Sequence, residues 1–241
     1  MPVYRRKKDR KARMAPTRYT PPKKRRQAYK KSNVLTSGTN PANHVIHRGI
    51  GFPDKFTTNL VYTDNFVLDP SASTICPSKR FRWSNLFDPD YEVGGGQPTY
   101  FDQLAAMYGR YVVNGAKMSV IFSRSTGTTS GIGPYICGVL TTDQNTTSLP
   151  TTDAGTLISA PNCSFAVVND QDGSKTVTAT YSKTKYTDSS MDAFATNSTN
   201  TWALAHVFAS PQGTDVETPI NVVIVIEFNA TFMEPKSVID V

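Results

Sequence analysis

The chain has 241 residues and a formal net charge of +7, but residues 1–31 hold 14 of its 26 Lys and Arg with Asp9 as their single acid, while the remaining 210 residues carry 12 bases against 18 acids. The longest uninterrupted apolar run, Val222–Ile226, is far short of the roughly 20 residues that cross a bilayer, so no membrane insertion is expected. The N-terminus has charge with no apolar stretch behind it, so no secretory signal is expected either.

The basic segment comes first. Arg5, Arg6, Lys7, Lys8, Arg10, Lys11 and Arg13 form one cluster and Lys23, Lys24, Arg25 and Arg26 a second, with Arg18 between them and Lys30 and Lys31 just after. Few large apolar residues and prolines at positions 2, 16, 21, 22 and 41 leave too little surface to bury against the entropy of ordering. Residues 1–44 therefore read as a disordered basic arm and linker, and 45–241 as one folded domain. Lys and Arg neutralise phosphates, and aromatic rings such as Tyr19 and Tyr29 stack on unpaired bases. The arm is thus expected to bind nucleic acid, single-stranded by preference and without regard to sequence. The two clusters also have the layout of a bipartite nuclear localisation signal, which an import receptor would read.

From Phe56 onward short extended runs alternate with turn residues, the pattern of an antiparallel β-fold. The runs are LVYTDNFVL (60–68), KRFRWSNLF (79–87), AKMSVIFS (116–123), PYICGVLTT (134–142), CSFAVV (163–168), SKTVTATYSK (174–183), TWALAHVFA (201–209) and INVVIVIEFNATFM (220–233). In the last, Ile220, Val222, Ile224, Ile226, Phe228, Ala230 and Phe232 fall at every second position, and the residues between them include Asn221, Glu227, Asn229 and Thr231, which predicts a long strand with one buried face. In the second, Phe81, Trp83 and Phe87 alternate with Arg80, Arg82 and Ser84, which predicts a basic outer face. TYFDQLAAMYG (99–109) breaks the pattern with helical spacing of Phe101, Leu104, Ala105 and Tyr108; Thr99 and Asp102 fit a capping box and Gly109 a C-terminal stop. A second helical turn is expected at 188–194.

Eight strands joined by long Thr-, Ser- and Asn-rich connections fit a single eight-stranded antiparallel jelly-roll sandwich, all-β with one short helix, better than a closed barrel with tight hairpins. The connections at 88–99, 143–162 and 184–200 exceed the usual lengths and are expected to reach contacts outside their own sandwich.

Catalytic signals are few. There is no phosphate-binding glycine loop, nucleophile elbow, zinc helix or dinucleotide fingerprint, and no cofactor is expected. Cys76, Cys137 and Cys163 are odd in number and lack CxxC spacing, so they read as inert buried thiols. His44, His47 and His206 have no acidic or thiol partner nearby in sequence. Asp170, Asp172 and Gly173 resemble a calcium loop only faintly, because position 179 is alanine where the closing acid belongs; a hairpin turn is the expected reading.

The order of segments resembles a family. A basic arm, IGFPDKFTTNLVYT, FRWSNLFDPD with a glycine-rich loop, YFDQLAAMYGRYVVNGAKMSVIF and a closing VVIVIEFNATF are similar to the capsid proteins of circovirus-like, Rep-encoding single-stranded DNA viruses. Tyr100–Phe122 carries most of the likeness. The resemblance implies a jelly roll whose copies form a small T=1 icosahedral shell in the host nucleus, with the arm inside on circular single-stranded DNA. About 60 copies would bring roughly 780 positive charges into the cavity, enough for several hundred phosphates. Arg80 and Arg82 are then candidates for the inner wall. Two other readings stay open from the residues: a nuclear DNA-binding protein whose sandwich does not assemble, and a glycan-binding jelly roll with an import tail.

Overall fold

The computed structural model describes residues 53–70, 76–92, 96–124, 134–143, 146–169, 173–186, 193–212 and 218–236. The arm, its boundary with the folded domain, His44, His47, Asp170, Asp172 and most of the helical turn expected at 188–194 lie outside these residues. Of that turn, Phe194 is described and is extended.

The described residues form nine strands: β1 (Lys55–Leu68), β2 (Ser78–Arg82), β3 (Tyr108–Arg124), β4 (Tyr135–Asp143), β5 (Cys163–Val168), β6 (Lys175–Ser182), β7 (Phe194–Ala195), β8 (Ala203–Pro211) and β9 (Ile220–Pro235). Three short helices accompany them: α1 (Phe101–Met107), α2 (Ala154–Ile158) and α3 (Lys183–Tyr186). Setting aside the two-residue β7, the strands pair first with last, second with second-last, third with sixth and fourth with fifth: β1 with β9, β2 with β8, β3 with β6, β4 with β5, all antiparallel. Pairing of β3 with β9 and of β4 with β8 completes two sheets, β1-β9-β3-β6 and β2-β8-β4-β5. A folded-over hairpin of eight strands in two sheets is the jelly roll.

Strand alternation builds the core. The seven apolar residues at alternate positions of β9 from Ile220 to Phe232 are buried, as their period predicts, while Val223 on the other face is exposed; Met118, Val120 and Phe122 on the neighbouring β3 are buried too. At one end of the sandwich Phe232 meets Phe101, Tyr108 and Tyr111, with ring centroids 6.1–6.2 Å apart. Deeper in, Trp83 stacks on Tyr181 at 6.1 Å and donates its Nε1–H to Thr141 Oγ1 at 3.2 Å.

Several boundaries differ from the sequence reading. β1 begins five residues earlier, where Phe56 stacks on Tyr108. β3 begins at Tyr108 rather than Ala116, because a bulge between Val113 and Gly115 shifts the register and breaks the alternation. β2 stops at Arg82. There Trp83 N–H turns to the Ala203 carbonyl, and Asn85 Nδ2 donates to the Ser198 and Asn200 carbonyls. Ser84, expected on an outer face, is therefore buried and accepts the Trp202 N–H.

The expected capping box on α1 does not form. Tyr100 is the cap residue, in the left-handed region at φ 69, and makes no side-chain cap bond. Gly109 is no stop either, since the chain is already extended at Tyr108.

Residues 146–162, the described part of the connection at 143–162, fold back over the second sheet. Asp153 caps α2 by accepting from Gly155 and Thr156 N–H, and Leu157 packs with Leu140, Phe208 and Cys76 in a second, smaller core. β8 is consequently buried on both faces from Ala203 to Ser210. Gly138 makes room for this layer, because a Cβ there would lie 2.8 Å from both Phe208 Cζ and the Ser164 carbonyl oxygen.

Candidate nucleic-acid interface

The fourteen cations of the arm and its candidate tyrosines Tyr19 and Tyr29 lie outside the described residues, so the geometry bears on the two candidates in the body, Arg80 and Arg82. Both project from β2 beside the connection that follows it. That connection doubles back on the strand: Arg82 N–H donates to the Pro89 carbonyl at 2.7 Å and Tyr91 N–H to the Arg80 carbonyl at 3.1 Å.

The Arg82 guanidinium is largely enclosed. Its Nη1 donates to the Asp88 carbonyl at 2.8 Å and the Asp90 carbonyl at 2.6 Å, and lies 2.7 Å from the Asp88 carboxylate. The Tyr91 ring covers it at 4.7 Å. Nη1 and, at 3.4 Å to the Tyr91 carbonyl, Nη2 are thus committed to one turn of backbone, while the buried Nε has no partner among the described residues. Arg80 donates to the Thr147 carbonyl, also lies over the Tyr91 ring, at 4.3 Å, and has Glu92 at 4.0 Å. Lys79, which the sequence reading passed over, bridges Asp64 at 2.8 Å and Asp90 at 2.9 Å. The basic residues of β2 thus sit in a mixed-charge network with four acids, and Arg80 and Arg82 fasten loops.

Arg80 has a second neighbour that sequence alone could not supply. It stands in register with His206 on β8. The buried His206 places Nε2 2.9 Å from Thr142 Oγ1 and 3.2 Å from the Thr146 carbonyl, while Nδ1 has no partner. Burial lowers its pKa from 6.5 to about 4; the Thr146 carbonyl opposes the shift and the Arg80 charge adds to it. The folded state therefore binds this proton less well than the unfolded chain does. Stability is at its full value above pH 6.5 and is lost as the pH falls toward 4, by up to about 3 kcal/mol. Thermal melts from pH 7 to 4 should show this loss, and His206→Gln should flatten the His-dependent part of the slope; an unchanged slope would contradict it.

The outer face of the first sheet is close to neutral. Thr57, Asn59, Asn114, Asn229 and Thr231 form a cross-strand ladder of side-chain hydrogen bonds between 2.8 and 3.1 Å. Thr176, Thr178, Thr180 and Ser182 line β6 beside it.

The thiols are poorly suited to chemistry. Burial raises Cys137 to about 12 and Cys76 to about 11, and half-buried Cys163 also to about 11, which removes the thiolate that a nucleophile needs. Cys163 is thus more exposed than the sequence reading expected.

The described residues define a jelly-roll sandwich with internally compensated charge. No family model and no curated protein matches the sequence. Among solved structures the chain is similar to the 60-mer BFDV capsid protein, at 14% identity over 77% of this chain and 98% of that one with a TM-score of 0.45. It is similar also to Cocksfoot mottle virus, at 13% identity over 76% and 97% with a TM-score of 0.45, and to Desmodium yellow mottle tymovirus, at 12% over 78% and 92% with a TM-score of 0.38. The jelly-roll assignment rests on the strand pairing of the chain itself.

Proposed function

We propose that the chain is a viral capsid protein: the jelly-roll body associates with further copies into a closed shell of about 60 subunits, and the arm holds single-stranded DNA inside. The observation that carries the reading is the division of charge. The body's cations on β2 are paired with acids of the body, while residues 1–31 carry a net charge of +13 with no fold-forming apolar content. A nucleic-acid-binding domain that worked through its folded surface would need free cations on that surface.

In this role the protein is structural and performs no catalysis. Its site residues are the arm cations Arg5 to Lys31, with Tyr19 and Tyr29 as stacking surfaces. The same clusters would be read by a host import receptor before assembly, placing the protein in the host nucleus and then in the virion.

The arm's part is tested by titrating the full chain with a single-stranded oligonucleotide at several salt concentrations. With about ten phosphate contacts, affinity falls roughly 10⁴-fold between 50 and 200 mM salt. Binding that hardly responds to salt would contradict the role given to the arm.

A further inference from the structure

Among the described residues the sandwich has four strand edges, and they are guarded unequally. The β2 edge is closed by the returning chain, whose Asp90 bridges Phe81. β1 accepts the Thr99 N–H on its Val61 carbonyl at 3.1 Å and carries Lys55 and Asp64. β6 leads into α3 and presents a row of hydroxyls.

β5, which packs beside β6 of the other sheet, has none of these devices among the described residues. Its sequence, CSFAVV, contains no charge and no proline, and its pairing with β4 is in continuous register; charges, prolines and bulges are the devices that keep an edge from pairing with another chain. The Thr141 N–H donates to the Asn162 carbonyl at 3.1 Å. Antiparallel alternation from that pair directs Ser164, Ala166 and Val168 toward β4, and turns the N–H and C=O groups of Phe165 and Val167 toward the open edge. The same two residues have side chains 48% and 42% exposed, on the outer face beside half-buried Ile136.

We propose that β5 pairs antiparallel with β5 of a second copy about a twofold axis through Phe165, joining two four-stranded sheets into one of eight strands. Only a residue-centred axis keeps both outer faces on one side of the joined sheet. Phe165 then stands opposite Phe165, with Val167 opposite Cys163, so the two strands exchange backbone hydrogen bonds and cover each other's apolar side chains.

Charge favours a second copy over an unrelated strand. Lys185 lies at the start of β5, its Nζ 2.6 Å from Asn162 Oδ1, and the sequence after β5 continues Asn169-Asp170-Gln171-Asp172. Antiparallel pairing sets the Lys185 end of each β5 against the C-terminal end of the other, the end from which the sequence runs on into Asp170 and Asp172. The inference deepens the self-assembly reading and rests on it, since it names one contact by which copies associate.

Cysteine cross-linking in the full chain tests it. In a hydrogen-bonded antiparallel pair the facing Cα atoms are about 5.5 Å apart, a distance that a disulfide spans. With Cys163→Ser as background, Phe165→Cys under mild oxidant should form covalent dimers at least about tenfold faster than Thr178→Cys, through the high effective concentration of a specific contact. Equal rates would overturn the β5 contact. Electron microscopy of the same samples separates the two ideas. Closed particles with equal rates leave the shell reading standing and remove the β5 pairing, whereas rapid cross-linking without particles upholds the pairing and counts against the shell. A second variant, Val167→Pro, removes an N–H that points to the open edge and no hydrogen bond within the chain. It should keep the melting temperature and lose the dimer, and unchanged association would also overturn the proposal.

Discussion

Deleting residues 1–31 should abolish tight, salt-sensitive binding to single-stranded DNA and leave the folded body intact. The deletion removes 14 cations and one acid, and turns a chain of net charge +7 into one of −6. Each phosphate contact on single-stranded nucleic acid contributes about −0.7 to the slope of log affinity against log salt. Ten lost contacts therefore flatten a slope of about −7 to near zero. The β2 cluster offers little in compensation, because Lys79, Arg80 and Arg82 are held by Asp64, Asp90, Asp88 and nearby carbonyls. Particles assembled from the deleted chain should be empty or malformed. Unchanged nucleic-acid content in those particles would show that the arm is not the packaging element.

Phe232→Ala should cost the body about 3–5 kcal/mol, the range for removing a buried aromatic ring from a packed core. Phe232 is fully buried, and its loss takes a partner from three other rings, Phe101, Tyr108 and Tyr111. The cavity would open where α1, the start of β3 and the end of β9 meet. Those elements cannot easily collapse into it: Tyr108 is held by its hydroxyl on the Pro53 carbonyl and Tyr111 by its own on Asn85 Oδ1. At about 2–4 °C per kcal/mol for a body of this size, the melting temperature should fall by roughly 10 °C. Thr178→Ala on the exposed face of β6 is the control, expected within about 0.5 kcal/mol of the parent. A Phe232→Ala chain that melts with the parent would contradict the packing described here.

These two expectations come from opposite kinds of sequence legibility. The arm's charge is read directly from composition, with no folded context. β9 is nearly as direct: an apolar residue stands at every second position from Ile220 to Phe232 because one sheet face is buried along the whole strand. Where that condition fails, the reading fails with it. The first half of β3 was hidden by the bulge before Gly115, which puts consecutive blocks of the strand out of phase. The layer at 146–162 was invisible because its apolar residues, Leu149, Leu157 and Ala160, are sparse and find their partners on β4 and β8, not within their own segment.

Arg80 and Arg82 show the same limit at the candidate site. Alternation along KRFRWSN correctly sets Phe81 and Trp83 inward, and from it a basic outer face follows. That inference could not include the chain's return eight residues later, which supplies the Asp88, Asp90 and Tyr91 groups around Arg82. His206 is similar. In the sequence it is a lone histidine in an apolar run, and only the register of β2 against β8 places a guanidinium beside it.

The central claim is that acidic jelly-roll bodies build a shell around what the basic arm holds. Electron microscopy of the purified full-length chain tests it most directly. The account predicts uniform closed particles of about 60 subunits, and a population that stays monomeric or dimeric at high protein concentration would contradict it.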